Sequence, residues 1–578
     1  MFVVNTQMSS QPTIKNNKRP LRVGLLMDGM GVPAWIAELI RDILKDPCAD
    51  IAFLVMHDQE AAQAHLPAPR PGMLAKIQRI LTGQTLLKRY LYKNYSRWDQ
   101  GRVRLSMDPF EIVDMSEELK NFPRIRVVPQ TDRFFHRFEE KDLERIRAAE
   151  LDVLLRFGFN IIKGPILESA RYGVWSFHHG DNQHFRGGPP YFWELYRDAP
   201  LSGIILQILS EKLDAGRVLY RSYTKTVGGL SVKQNSAASY WKGSSFVIRR
   251  LRQLHEHGWE WMQKELPTFR EDPSIQGKIN RIPTNGVMIR FLARSLWRSL
   301  SRRVKMRGKY EHWFVAYRNP KSGGSYKTLP WPKGHFYADP FTFERDGKPF
   351  IFFEDFLYEK QRGVISFVEV RTDLSTTETQ VALDLPHHLS YPFLFEHEGA
   401  VYMIPESGAN RSVDLFRAAE FPGRWELVKT LKSGLQAYDV TLLIRDGKYW
   451  FFAIVVERGA ASSDELFLFH ADSLTGEWIP HPKNPVVSDI RRARPAGRVF
   501  ERDGKLIRPS QDGSSGYGGA IQFNEIVVLS ETDYLERPIS RIEPDWAPNL
   551  VGTHTINRIP GLEVIDGRAV MPLSEVMG

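Results

Sequence analysis

Apolar residues follow two different patterns in the two halves of this 578-residue chain. In the first half, compact apolar runs alternate with stretches of helical spacing. LRVGLLM (21–27) leads through DGMGVPAW into the helically spaced WIAELIRDIL, which reads as strand, glycine turn and helix, the opening of a parallel α/β unit. IAFLVM (51–56), RIRVVPQ (124–130) and LDVLLRFGF (151–159) read as further strands. The last is almost continuously apolar, as a strand covered on both faces requires. A helix is predicted over KDLERIRAAELD (141–152) and a short one over 160–173, while 66–122 lacks periodicity and reads as an insertion or flap. RSYTKTV (221–227) reads as a strand, and 236–263 as one helix with Phe246, Val247, Leu251 and Leu254 on its apolar side. This alternation predicts a right-handed, doubly wound parallel sheet of Rossmann type, whose ligands bind beyond the carboxyl ends of its strands.

From residue 311 helical periodicity gives way to short apolar or aromatic runs broken by Asp-Gly turns. One unit recurs: DPFTFERDGKPFIFFED (339–355), YPFLFEHEGAVYMIPES (391–407), DVTLLIRDGKYWFFAIV (439–455), AGRVFERDGKLIRPSQD (496–512) and the weaker IPGLEVIDGRAVMPLSE (559–575). Each is strand, tight turn, strand, with turn glycines at Gly347, Gly399, Gly447, Gly504 and Gly567. Such a period with four strands per unit predicts a five-bladed β-propeller over 311–578. Asp339, Tyr391 and Asp439 share one position in the repeat, and Glu354, Glu406 and Gln511 another. Asp339, Glu354, Glu406 and Asp439 are therefore the candidate substrate-contacting residues of the propeller channel, since carboxylates at equivalent blade positions converge on its mouth. Paired carboxylates at the right separation also cleave glycosides.

Between the α/β domain (21–262) and the propeller lies a linker, 263–310. Its 287–309 stretch combines Ile289, Phe291, Leu292, Leu296, Trp297 and Leu300 with seven arginines and lysines through Arg307. Such a basic amphipathic helix either bridges two domains with its apolar face buried or makes peripheral contact with an anionic membrane.

Composition narrows the class. A 42% hydrophobic, 25% charged chain is that of a soluble globular protein, and residues 1–20 read as a disordered tail without the apolar core of a secretory signal. No apolar run reaches the roughly 18 residues that span a bilayer. Cys48 is the only cysteine, which excludes an intramolecular disulfide and a cysteine-based zinc site. No metal is called for. These features fit a cytoplasmic or membrane-peripheral protein. The +10 net charge carries no nucleic-acid motif with it, so a small molecule or glycan is the expected partner. No oligomeric state is implied. Gly29 and Gly31 lack the third glycine of a dinucleotide fingerprint.

The candidate chemistry lies in 173–217, GVWSFHHGDNQHFRGGPPYFWELYRDAPLSGIILQILSEKLDAGR, where His178 and Asp214 each follow an apolar run and meet a glycine-containing turn. Together with LDVLLRFGF this segment resembles the catalytic domain of the methionyl-tRNA and sugar N-formyltransferases. Their pattern of Asn-x-His, Arg-Gly-x-x-Pro and Leu-Asp-x-Gly is matched by His178, by Arg186-Gly187 with Pro190, and by Leu213-Asp214 with Gly216. The resemblance spans about residues 20–225. It implies 10-formyltetrahydrofolate as the one-carbon donor, His178 as general base and Asp214 as the carboxylate that orients it. It further implies Phe157, Gly158 and Phe159 in the folate pocket and Arg186 and Gly187 in the loop closing it. Histidine suits the task because it exchanges a proton near neutrality.

One position departs from the pattern. The family's oxyanion-donating Asn is Ser176 here, a shorter side chain that rotates freely, and losing such a donor typically costs about 10²–10³ in turnover. Asn182, in an unusually polar loop, stands as the residue to replace it. The propeller start Tyr337-Ala338-Asp339-Pro340-Phe341 resembles arabinanase- and levansucrase-type propellers and the N-terminal propeller of plant glucosamine inositolphosphorylceramide transferases.

The resemblance thus implies a formyltransferase acting on an amino sugar, with a propeller that binds glycan or acceptor. Bacterial surface-polysaccharide biosynthesis is the setting that this domain pairing implies. The same residues leave two alternatives: a carbohydrate-binding scaffold whose pocket has decayed at Ser176, and a propeller glycosidase with an accessory α/β domain.

Overall fold

Seven strands of the first half form one sheet in a computed structural model that describes residues 18–58, 88–132, 135–213, 216–265 and 279–577. In chain order they are β1 (Leu21–Met27), β2 (Ala49–His57), β3 (Arg124–Val127), β4 (Val153–Arg156), β5 (Val174–His178), β6 (Leu201–Ile208) and β7 (Arg217–Lys225). Their spatial order is β7-β6-β5-β4-β1-β2-β3. The first five run parallel, whereas β6 is antiparallel to β5 and β7 to β6. The reversal has a local cause: after β5 the chain returns through a polar loop and a single short helix, so it re-enters the sheet from the end it left.

Among the described residues, eight helices accompany the sheet: α1 (Ala34–Lys45), α2 (Tyr90–Arg102), α3 (Glu140–Arg147), α4 (Phe192–Arg197), α5 (Val232–Gly243), α6 (Phe246–His257), α7 (Trp259–Glu265) and α8 (Asn285–Lys305). Trp35, Ile36, Leu39, Ile40 and Ile43 recur on one side of α1 and are buried with β1 and α6 in the larger core. Leu26, Val55 and Leu154 belong to a second core with Ile146 of α3. With apolar side chains in both cores, β1 is buried at every residue but Arg22.

Several predicted elements are redrawn. Residues 66–87 of the aperiodic stretch 66–122 lie outside the described residues, but 90–102 is the helix α2. Its Asp99 accepts a bond from the Lys233 N–H at 2.9 Å in the first turn of α5. Strand β4 ends at Arg156 rather than 159. A Cβ on Gly158 would come within 2.4 Å of the Asp28 nitrogen, and Phe159 adopts φ +60°, so the chain turns out of the sheet there. Only one 3-10 turn, Pro165–Glu168, forms within 160–173. The single helix predicted over 236–263 is α5, α6 and α7. The Ser244 hydroxyl bonds back to the Trp241 carbonyl at 2.6 Å, and Gly258, at φ +82°, ends α6.

The second half is a five-bladed propeller. Four blades open with the two-residue hairpins Asp346-Gly347, Glu398-Gly399, Asp446-Gly447 and Asp503-Gly504, with positive φ at both residues of each. That is the turn whose twist matches paired strands. The fifth differs from the sequence reading. Gly567 is no turn residue but sits inside the strand Leu562–Pro572, opposite Phe314. The fifth turn is Pro560-Gly561, a proline-glycine pair with Gly561 at φ +85°, between Ile556–Ile559 and that strand. The ring is closed by pairing Leu562–Pro572 with Lys309–Arg318, near the start of this half, over ten residue pairs. The fifth blade therefore draws on both ends of the repeat region and leaves no edge there to fray.

Candidate functional site

Register places the α/β chemistry. Ser176 on β5 lies opposite Arg156 on β4 and Gln207 on β6, making a polar row across three strands. By the two-residue period of a strand, His178 shares the face of Ser176, whereas Trp175 and Phe177 enter the larger core. Arg156 donates from Nη1 to Ser176 Oγ at 2.9 Å, from Nη2 to the Phe159 and Asn160 carbonyls at 3.0 and 2.9 Å, and from Nε to Asn160 at 3.1 Å. These bonds use four of its five N–H donors. Burial pulls the guanidinium pKa down, opposed only by the charge of Asp28. Ser176 is thus not a free rotor. Its oxygen is fixed as an acceptor, its own proton is left to donate, and a positive charge stands behind it.

His178 Nε2 lies 3.2 Å from the Phe185 carbonyl. A carbonyl only accepts, so Nε2 carries a proton and Nδ1 is the basic nitrogen of the neutral ring. Asp214, the expected orienting carboxylate, lies outside the described residues. Its flanks are fixed: Arg186 Nη2 donates to the Leu213 carbonyl at 3.1 Å, and a Cβ on Gly216 would fall 2.2 Å from the Ile208 carbonyl. Gly187 forms a bridge with Asn280. Phe157 meets Trp35 edge-on at 6.4 Å. Phe159 stacks on His57 at 4.9 Å and donates its N–H to Asp28 at 2.7 Å.

The loop 179–184 is polar in sequence, yet Gly180, Asp181 and Asn182 are buried while Gln183 and His184 are exposed. Asp181 accepts bonds from Arg221 at 3.0 Å, from His184 Nδ1 at 2.9 Å and from the Gln183 N–H at 3.1 Å. Asn182 is fully buried, with its carbonyl oxygen held by Arg221 Nη2 at 3.1 Å. The side chain at Ser176 is engaged instead by Arg156. His179 is half-buried, stacked 4.1 Å from Tyr240, and burial, with the charges of His178 and Arg156, lowers its pKa to about 3.

Glu194 on α4, which periodicity did not single out, is 1% exposed, and its Oε1 has no hydrogen-bond partner. A side chain on Gly180 would begin 3.5 Å from both that oxygen and His178 Nε2, so the two atoms are at most 7 Å apart. Glycine keeps the space between them open. Burial raises the Glu194 pKa to about 7, with His178 and Arg197 opposing and Asp181 adding to the rise. Gln207 Oε1 is likewise buried without a partner.

The propeller brings the four predicted carboxylates into its buried interior. Asp339, Tyr391 and Asp439 do occupy equivalent places: each lies at a break in strand register with φ of +50°, +42° and +54°. Bulges with left-handed residues re-aim side chains, and they cluster at functional sites. Asp439 is gripped by Arg494 at 2.5 and 3.1 Å and by Gln511 at 3.1 Å. Glu406 lies 3.9 Å from Arg494, and Glu354 3.6 Å from His388. Asp339 accepts from Thr555 Oγ1 at 2.7 Å. Burial, reinforced by Asp439 and Asp566 and opposed by His554, raises Asp339 to about 6. Burial and neighbouring acids push Glu354 and Glu406 well up.

Two further residues were missed because Asp566 had been assigned to a turn. His554 lies 2.6 Å from Asp566 and 3.4 Å from Asp339. Asp339, His554 and Asp566 offer ligand atoms within 4.8 Å of one another, a set able to hold a cation although the sequence called for none. The interior is rich in acceptors, suited to sugar hydroxyls or a positive group.

Residues 312–544 match the family described as "Glucosamine inositolphosphorylceramide transferase 1, N-terminal". The chain is 35% identical over 210 residues to glucosamine inositolphosphorylceramide transferase 1 of Oryza sativa subsp. japonica, a stretch covering 36% of this chain and 28% of the plant protein. It is 27% identical over 157 residues to methionyl-tRNA formyltransferase of Bacillus thuringiensis (strain Al Hakam), covering 27% of this chain and 44% of the bacterial one. The chain thus spans less than half the length of either curated relative. Among solved structures, glycinamide ribonucleotide transformylase 1 from Symbiobacterium toebii overlays with a TM-score of 0.28 at 13% identity, covering 43% of this chain and 93% of that one. The architecture is a formyltransferase-like α/β domain joined to a propeller.

Proposed function

We propose that this protein is a transferase that moves a formyl group from 10-formyltetrahydrofolate to the amine of an amino sugar, with its propeller binding the glycan or acceptor. The observation that carries the reading is the Arg156 bond to Ser176 on the face that also bears His178. It supplies a charge-backed donor where the family's Asn is missing. The plant relative, whose name contains glucosamine, favours an amino sugar as acceptor.

The residues present fit such a donor and acceptor. Glu194 Oε1 and Gln207 Oε1 are buried acceptors in want of N–H groups, while Ser176 keeps a hydroxyl proton for a carbonyl oxygen. The donor, when bound, supplies the formyl carbon. His178 Nδ1 takes the proton that the attacking amine gives up as its new C–N bond forms. Ser176 and Arg156 hold the negative charge that gathers on the formyl oxygen, where such donors matter most. The old C–N bond then breaks, and His178 returns its proton to the departing nitrogen, so the imidazole ends as it began.

The test is mass spectrometry of nucleotide-linked amino sugars incubated with the protein and 10-formyltetrahydrofolate. A formylated product that disappears in His178→Ala is expected. No product from any amino sugar, together with no folate binding by calorimetry, overturns the reading.

A further inference from the structure

Among the described residues, helix α8 presents one covered and one exposed apolar face. Met288 and Phe291 are buried with Tyr95, Phe192 and Leu195, and Arg294 and Arg298 pair with Asp198 on the same side. The opposite side leaves large apolar groups in solvent: Ile289 is 58% exposed, Leu296 58%, Trp297 72%, Leu300 49% and Val304 76%. At about 100° per residue these five occupy an arc of roughly 100° facing away from Met288 and Phe291. A contiguous exposed stripe of this kind marks an interaction surface rather than the scattered leucines normal on any protein.

Charge identifies the occupant. No aspartate or glutamate occurs from Asn285 to Lys309, whereas Arg290, Arg302, Arg303 and Lys305 are all exposed along the helix. A second protein surface of ordinary composition offers no reason for a one-sign helix, but an anionic headgroup layer does. Trp297 adds the ring that settles at a membrane–water boundary. No described helix is long and apolar enough to cross a membrane, so the geometry is that of a helix lying in the interface.

We propose that the outward face of α8 inserts into the interface of an anionic bilayer and holds the protein on the membrane surface. The apolar stripe enters roughly 5–10 Å, to the level of the upper acyl chains. Arg290 and Arg303, which flank the stripe, remain among the headgroups. This assignment is independent of the reaction proposed above, because none of its residues belongs to that site.

The experiment is flotation of the full chain with vesicles of phosphatidylcholine alone or mixed with phosphatidylglycerol, at low and raised ionic strength. Binding is expected to the mixed vesicles only and to fall with salt. The pair Trp297→Ala and Leu300→Ala removes exposed side chains, so folding survives, and is expected to weaken binding about tenfold or more. Arg290→Gln and Arg303→Gln, one on each flank of the stripe, are each expected to weaken it about fivefold. Equal binding to both vesicle types, no binding to either, or a dimer in light scattering that Trp297→Ala dissolves would each overturn the proposal.

Discussion

Glu194→Gln isolates one buried carboxyl whose cost depends on pH. In the folded chain Glu194 is 1% exposed and holds its proton up to about 7, whereas an unfolded glutamate gives it up near 4.5. Because the folded value is raised, the stability linked to this group is fully present below the unfolded value. It drains away as pH rises and is gone once pH passes the folded value. The gap between 4.5 and about 7 corresponds to about 3 kcal/mol. Glutamine has the shape of the protonated acid and does not titrate. The variant should therefore gain on the wild type as pH rises, by roughly 2.5 kcal/mol between about pH 5 and about pH 8. The facing charges, His178, Asp181 and Arg197, stay in both proteins. Since the chain has two units, global unfolding is the wrong measure. Hydrogen exchange at the amides of Val174–His178, compared between the two proteins at each pH, reads the opening energy of this unit. A difference that stays constant across that range would show that Glu194 ionises like a solvated acid and would refute the reasoning.

Three other outcomes follow from the same geometry. Arg156→Met should lower formyl-transfer turnover about 10²–10³-fold with little change in amine affinity, and adding Ser176→Asn should recover part of the loss; steady-state kinetics separate the two effects. Arg508 and Glu536, 1% and 2% exposed, form a buried two-bond pair at 2.8 Å in the fourth blade. Arg508→Met should cost about 3–5 kcal/mol in propeller unfolding, and the double change Arg508→Met, Glu536→Met far less. A Cβ on Gly567 would come within 2.7–2.9 Å of Leu550 and Trp546, so Gly567→Asn should destabilise the propeller by about 1–3 kcal/mol, although asparagine suits a hairpin turn. A neutral result by thermal unfolding would return Gly567 to a turn.

What was legible in the sequence divides along a physical line. Elements carried by local signals were found. The apolar run of β1 is buried as read, and four Asp-Gly or Glu-Gly hairpins stand where positive φ demanded glycine. The fifth was misplaced because one turn chemistry was sought throughout, and a Pro-Gly pair serves where Asp-Gly was expected. Helix α2 was missed because its buried residues are few, only Tyr95 and Asp99, so no apolar stripe shows. The break between α5 and α6 depends on a hydroxyl bonding backward, which leaves the apolar period almost intact.

The site divides the same way, and Ser176 shows why. His178 and the repeat-related Asp339 and Asp439 were candidates from motif and period, both of which are local. Ser176 looked like a loss because a side chain was compared with the side chain it replaces. Its partner is 20 residues away on a neighbouring strand and meets it only because β4 and β5 pair in one register. Slipping that register by one residue would turn Arg156 to the other face and leave a rotating hydroxyl. The arginine itself carried a signal, a charge ending an otherwise apolar strand, which strand periodicity discards as a boundary. Glu194 carried still less, being one acid on a helix of six residues. Both contribute through burial: the guanidinium beside Ser176 and the acid across from His178 act at short range in a medium that screens them little. Their chemistry is set by which strands and loops bury them, and that is a property of the assembled sheet rather than of any segment.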